Sequence, residues 1–424
     1  MRGTRGAATR PDSSRLAVLV VCTAAMGLGC TPAFLVGYLG PDVRSSLDLS
    51  GAQLGLLVGL FYGATGVTSM VASRFVDPLG PRLSIVGDQA LVAVALVAAA
   101  LWPGFGTLAA ASALAGAGYA FANAGTSIAV TSVSRPAEAG TAVAVKTAGI
   151  PLGATVLALA GLPLAGVIGW EGVALVLAGL LALNTVAGAL LLPRARVRRV
   201  AGAPAPVVGR LPARFGWVVL ASFFYVLGSQ PLFSWLVITL VDAGVSRPAA
   251  GAVSATGTAL GAVVMVLAAR RADRAGPGRR ALTAAGVAGT AVVGTALVWA
   301  GSHTLLAVLV VGAVVAILAD LVGSGFAHGV AIDRAPHAVG RATAVMSSGY
   351  YLGALVSPLA FGAAADLTGS YDASWALTVG AMTACGLCFL VVQRWVRPPA
   401  AEPGAHPWAP AGGAAPAPAG SIRG

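Results

Sequence analysis

Three charged positions fall inside long apolar stretches of this chain: Asp88, Lys146 and Asp320. Lys146 is also the one lysine in 424 residues, although the chain carries twenty-five arginines. An ionisable side chain at a bilayer centre costs at least about 2.5 to 3.5 kcal/mol on insertion scales, so each of the three needs a partner or a task. In the run "VAVKTAGIPLGATV", helical spacing puts Gly149 and Gly153, with Ala142, on the face that carries the ammonium. Small residues let a helix or a cavity come close, so the ammonium is expected to point into protein rather than lipid. A point charge in a poorly hydrated cavity attracts a carboxylate or another small anion, because attraction grows as the effective dielectric falls. Two other readings fit the same spacing: an ion pair with an aspartate, or snorkelling over roughly 10 Å to the headgroups. An Arg-rich, Ala-rich composition explains the rarity of lysine by itself, so its position is the informative part.

Asp320, Ser324 and His328 recur every four residues and form one helical stripe. Carboxylate, hydroxyl and imidazole in a row would carry a proton if solute movement is coupled to a proton gradient. A gating contact and direct contact with solute are the alternatives for Asp320. Asp88 follows Gly87 and is expected to pair locally with a loop arginine such as Arg82. Tyr119, Asn123 and Thr126 share a face, and Tyr225, Ser229, Gln230 and Trp235 cluster in a later stretch. Hydrogen-bonding groups and aromatic walls suit a solute cavity, and they suit interhelical contacts equally. Cys385 and Cys388 have apolar neighbours and no charged partner nearby, so they read as packing residues, as do Cys22 and Cys30. With no metal-spaced cluster, Walker motif or catalytic triad in a loop setting, no cofactor is expected and the chain does not read as an enzyme.

The elements that must position these residues follow from composition. Hydrophobic residues make up 57% of the chain, charged residues 9%, and mean hydropathy is +0.87. Soluble domains carry about 25% charged residues, which excludes that class. Twelve apolar stretches run over 16–39, 53–73, 83–102, 107–132, 140–164, 172–192, 216–241, 249–269, 281–300, 305–330, 341–365 and 373–396. Each has about the twenty residues that a helix needs to cross the ~30 Å hydrocarbon layer. The first follows a basic start, as a signal peptide would, but continues too far for one, so no cleavage is expected. The net charge of +12 raises the question of nucleic acid. If the N-terminus is cytoplasmic, 23 arginines lie inside and Arg44 and Arg247 outside, which is the positive-inside bias of a multi-pass protein of the cytoplasmic (inner) membrane with both termini inside. No soluble basic module exists to bind nucleic acid.

"PRARVRRVAGAPAPVVGRLPARF" is the longest interior break, and it divides the chain into an N-terminal six-helix half (1–193), a cytoplasmic linker (194–214) and a C-terminal six-helix half (215–396). Residues 397–424 are too poor in large apolar side chains to pack and are expected to be a disordered cytoplasmic tail. The halves resemble each other: "GTAVAVKTAGIPLGA" from Gly140 aligns with "GRATAVMSSGYYLGA" from Gly340, and "SRFVDPLGPR" from Ser73 is echoed by "ARRADRAGPGRR" from Ala269. Parallel repeats related by an axis along the membrane normal place a solute site near the midplane, between halves that rock about it.

These two basic loops resemble the Gly-x-x-x-Asp-Arg-x-Gly-x-Arg-Arg signature of the major facilitator superfamily. The first has Ser73 for the glycine, Pro78 for the first arginine and Leu83 for the last. The second has Ala269 for the glycine, keeps Asp273, Arg274 and Gly276, and carries an extra residue before Arg279 and Arg280. Within that superfamily, "KTAGIPLG" and "QPLFSWLVITLVDAGVS" are similar to the branch that includes cyanate and nitrite transporters. The resemblance implies an all-α membrane protein with twelve transmembrane helices in two pseudo-symmetric six-helix bundles, the major facilitator fold. It also implies a gating role for Asp77, Arg82, Asp273, Arg274, Arg279 and Arg280, positions that would otherwise read as ordinary topogenic loops. The expected function is secondary transport of a small anionic solute by alternating access, in a monomer within the lipid bilayer, with a proton as the candidate coupling ion. Lys146, Tyr119, Asn123, Tyr225, Gln230 and Trp235 are the candidate solute-binding residues, and Asp320 and His328 the candidate proton-coupling residues. Efflux of a drug-like or cationic compound by proton antiport is the rival within the class; a membrane-embedded sensor without transport is the rival outside it.

Overall fold

A computed structural model describes residues 12–135, 138–193, 210–275 and 277–395. Most of the linker (194–209) and the whole tail (397–424) lie outside the described residues. In chain order the helices are α1 Asp12–Gly29, α2 Thr31–Tyr38, α3 Gly40–Leu47, α4 Gly51–Leu101, α5 Phe105–Val133, α6 Ala139–Thr147, α7 Gly149–Val156 and α8 Leu162–Leu191. They continue as α9 Gly216–Ser229, α10 Pro231–Ser234, α11 Leu236–Asp242, α12 Arg247–Ala275, α13 Arg280–Gly301, α14 Leu306–Arg334, α15 Val339–Thr368 and α16 Asp372–Trp395. No strand occurs among the described residues.

These helices amount to twelve crossings. At 1.5 Å per residue, a straight helix of 51 residues would span about 75 Å, more than twice the hydrocarbon layer. α4 has that length and turns back at Gly80, where φ is 80° between Pro78 and Pro81. The equally long apolar run Thr141–Leu191, which links α6, α7, a π-helical turn at Leu157–Gly161 and α8, turns back at Gly169 with φ of 73°. Both angles lie where only glycine is comfortable. α1 and α2 form one crossing bent by 45° just before Pro32, and α9, α10 and α11 form another that is broken at Pro231 and Trp235. The remaining long helices each cross once, and α3 lies along one surface. Both ends of the described chain lie on one face of the bundle, the terminal face; α3 and the α15–α16 turn lie on the opposite, distal face.

α4 packs against α5 and α8, while α13 packs against α14 and α16, and α9 against α15 and α16. The repeat seen in sequence is also a repeat in packing. A Cβ on Gly149 would sit 2.0 Å from Thr23 O on α1, and one on Gly349, 200 positions later, would sit 2.4 Å from Val219 O on α9. Backbones touch at both places because neither position has a side chain. Three seams then join the two sets of helices: α4 with α15, α12 with α7 and the π-turn, and α2 with α10. Along the first, a Cβ on Gly55 would lie 2.0 Å from Pro358 O, and in the third one on Gly37 would lie 2.2 Å from Phe233 O. These interlocked contacts run from the distal face to Gly66 and Tyr351, about midway along the helices.

Candidate functional site

At that midway level the polar side chains of many helices converge. The Tyr225 hydroxyl of α9 donates to the Asp320 carboxylate of α14 at 2.6 Å and lies 2.5 Å from the Asp320 carbonyl oxygen. Gly323, one turn on, makes room for the phenol ring: a Cβ there would be 2.7 Å from Tyr225 Cε2. Ser229 stands beside the same carboxylate. Across the seam, Tyr62 of α4 faces the Gln230 side chain at the α9–α10 break, and it packs on the cores of both helix sets. Phe61 lies 5.1 Å from Tyr62 and 5.6 Å from Tyr119, ring centre to ring centre, and Tyr350 lies 5.5 Å from Tyr351. Tyr62 and Tyr350 are both within electrostatic reach of Asp320, and Cys30 sits beside Tyr119.

The stripe expected on α14 exists, but it is a graded one. Asp320 is buried, Ser324 half-buried and His328 exposed, although the His328 ring lies 6.5 Å from that of Tyr350 on the facing helix. Burial therefore increases along this face from the terminal end of α14 toward the tyrosines. The three side chains do not form a hydrogen-bonded chain with one another: Ser324 Oγ donates to Leu321 O, and His328 Nδ1 lies 2.9 Å from the backbone oxygen of Ser324.

Lys146 is 2% exposed, so it does not snorkel. Its ammonium donates to Asn123 Oδ1 at 2.6 Å and to Asn123 O at 3.2 Å, with Met26 Sδ at 3.7 Å. Three donors thus have three partners, and none of the partners is an acid. The position is set by the close approach of α1 to Gly149, which folds the side chain into the seam between α1 and α5. Its counterpart in the second repeat is Met346, fully buried in apolar packing.

Asp88 departs from the local pair expected with Arg82. It is 3% exposed, accepts from Gln89 Nε2 at 3.0 Å and lies against Gly29 and Gly118. Six positions separate it from Arg82, which turns the two about 120° apart around a helix and so off a shared face. Gln89 continues inward, donating to Ala25 O and accepting from Asn184. Trp235 belongs to the distal closure: its indole donates to Pro358 O at 3.2 Å and stacks on Phe361 at 5.1 Å, with Tyr371 next to both.

That closure is polar as well as aromatic. Asp366, near the end of α15, accepts from Gly51 N at 2.8 Å and Ala52 N at 2.7 Å, so one helix caps the N-terminus of another with a carboxylate. Arg44 stands 3.9 Å from Asp366, Arg247 pairs with Asp42 at 2.5 Å, and Tyr371 donates to Asp242 at 3.0 Å. Outside these contacts lies an open cavity of about 850 Å³, lined among others by Arg44, Thr239, Asp242, His303 and Asp372. On the terminal face Arg15 pairs with Glu138 at 2.5 Å, and the guanidinium holds that carboxyl below its usual range. Of the expected gating residues, Arg280 pairs with Asp333 at 2.8 Å, Arg279 is exposed, and Arg82 is half-buried. The side chains of Asp77, Asp273 and Arg274 lie outside the described residues.

The model of the Major Facilitator Superfamily matches residues 17–332, and again 218–422. The chain belongs to this superfamily. Among solved structures, the superfamily chain matches the xylose transporter XylE of E. coli in a partially occluded inward-open conformation. That match has a TM-score of 0.71 and 13% identity, and covers 92% of this chain and 100% of the other. It is a likeness of fold. No curated protein matches the sequence.

Sequence reasoning missed Tyr62, Tyr350 and Tyr351. The signal for two of them was present in the repeat: where the first copy reads Ile150-Pro151, the second reads Tyr350-Tyr351. A repeat that keeps its glycines and changes the residues between them has changed what it presents to the interior.

Proposed function

We propose that this superfamily member is a secondary transporter that moves a small solute by alternating access, with the solute seated where Tyr62, Tyr119, Tyr225, Gln230 and Asp320 converge. Superfamily membership supports the transport mechanism. The observation that carries the location is the contact of Tyr62 with Gln230, which brings together helices of the two repeats at the level where the interlocked backbones stop. The distal clamp closes one side of this level, and the His328 stripe opens the other. Residues 1–193 and 215–396 act as the two rocking halves, and the arginine bias makes the terminal face cytoplasmic. Asp320 is the candidate for proton coupling. Lys146 already has Asn123 and Met26 as partners, so an anionic solute held by it is not the reading favoured here.

The test is counterflow in proteoliposomes with solutes of each charge class, followed by Gln230→Ala. Exchange of the preferred solute should fall at least about ten-fold, the effect of losing one well-placed polar contact in a binding site. Wild-type exchange in a stable Gln230→Ala protein would move the site elsewhere.

A further inference from the structure

Among the described residues near the proposed site, the Lys146 ammonium and the Asp320 carboxylate are treated oppositely, and Asp88 is met by the Gln89 amide. Lys146 spends all three donors on Asn123 and Met26. Asp320 is met by hydroxyl groups, Tyr225 at 2.6 Å and Ser229 beside it, and no cation pairs with it among the described residues. The two hydroxyls leave this carboxyl group facing donors and, among the described residues, no cation, with the Tyr225 hydroxyl placed between its carboxyl oxygen at 2.6 Å and its backbone carbonyl at 2.5 Å. The surrounding rings complete the setting: Tyr62 and Tyr350 lie within electrostatic reach of Asp320, with Phe61 and Tyr351 behind them. Aromatic faces attract a cation through their quadrupole, most strongly where water is excluded. Neither hydroxyl supplies positive charge, and a negative charge left among apolar walls is compensated most fully by a positive guest.

We propose that the solute is an organic cation, with its charged nitrogen against the Asp320 carboxylate and its apolar groups against Tyr62 and Tyr350. This rests on the central site being the transport site, and it assigns that site a chemical class. Entry follows the graded stripe, from exposed His328 past half-buried Ser324 to Asp320. Lys146 fixes α5 to α1 from a position at which the other repeat uses Met346.

The experiment uses the full chain in nanodiscs and proteoliposomes with three aromatic probes of similar size: benzyltrimethylammonium, benzyl alcohol and phenylacetate. Binding is read from thermal shift and intrinsic fluorescence, and transport from counterflow. Benzyltrimethylammonium should bind best. Its affinity should fall about ten- to hundred-fold in Asp320→Asn, the loss expected for one contact to a charged group, and stay unchanged in Lys146→Met. Preferential binding of phenylacetate or benzyl alcohol overturns the inference, as does wild-type affinity for the cation in a folded Asp320→Asn protein, or no binding of any probe. Binding of the cation without counterflow leaves the inference standing and removes the transport reading instead.

Discussion

Replacing Asp366 by asparagine should loosen the distal closure. The carboxylate gives one oxygen to Gly51 N and the other to Ala52 N. Asparagine keeps the shape but has a single acceptor oxygen, so one of these bonds is lost and an amide donor is turned toward an N–H group. Bonds to a charged acceptor contribute about 1.5–3 kcal/mol, and a negative charge at an exposed helix N-terminus about 0.3–1 kcal/mol. With the Asp366 side chain 28% exposed, values near the lower ends apply. The sum is about 1.5–2 kcal/mol, or about 10- to 30-fold in the balance between closed and open distal faces. α4 itself does not unravel, because Ser50 and Gln53 form a capping box at its start. Thr239 is suited to report the change: it is 2% exposed and lines the distal cavity, and Cys22, Cys30, Cys385 and Cys388 are all buried. In a Thr239→Cys background, labelling by a membrane-impermeant maleimide should quicken by about 10- to 30-fold when Asp366→Asn is added, provided opening is fast relative to modification. An unchanged rate in a protein of unchanged Tm would refute the clamp.

Gly251→Ala places a Cβ 2.1 Å from Ala158 O in the π-helical turn, and overpacking of this kind costs about 1–3 kcal/mol. A lowered Tm is expected, and an unaltered one would mean that α12 stands further from the turn. Tyr225→Phe should destabilise by about 1–3 kcal/mol by taking a donor from the buried Asp320 carboxylate. Adding Asp320→Asn should restore part of the loss, and strictly additive effects on Tm would show that the two groups are not coupled. Glu138 has a folded pKa below its ordinary 4.5, so its stabilising contact is present at neutral pH and fades as pH falls from 4.5 through the folded value. Wild type and Glu138→Gln should therefore differ in Tm at pH 7 and converge under acid, and a constant difference across that range would count against the pair with Arg15.

Much of the fold was legible because lipid imposes a length and a polarity on each crossing. The turns at Gly80 and Gly169 fall where the apolar stretches were divided. The sequence hid what the ionisable groups meet. Periodicity places Lys146 on an inward face, but Asn123 is 23 positions away and Tyr225 is 95 from Asp320, and no local rule links such distant pairs. Asp88 is a different case. Its six-residue spacing from Arg82 was in plain view and already argued against a shared face. The distal clamp was unreadable for another reason, since Asp366 is satisfied by backbone N–H groups, which carry no residue identity.

The bend before Pro32 and the break at Pro231 interrupt the two helices that meet at Gly37 and Phe233. What stops up the passage beyond the tyrosines is in part a pair of stubs, eight residues in α2 and four in α10, each jointed at its inner end. In the rocking motion proposed above, α4 and α15 must part on that side, and the two jointed stubs, each anchored on a long helix of its own half, are the pieces that can tip furthest as they do.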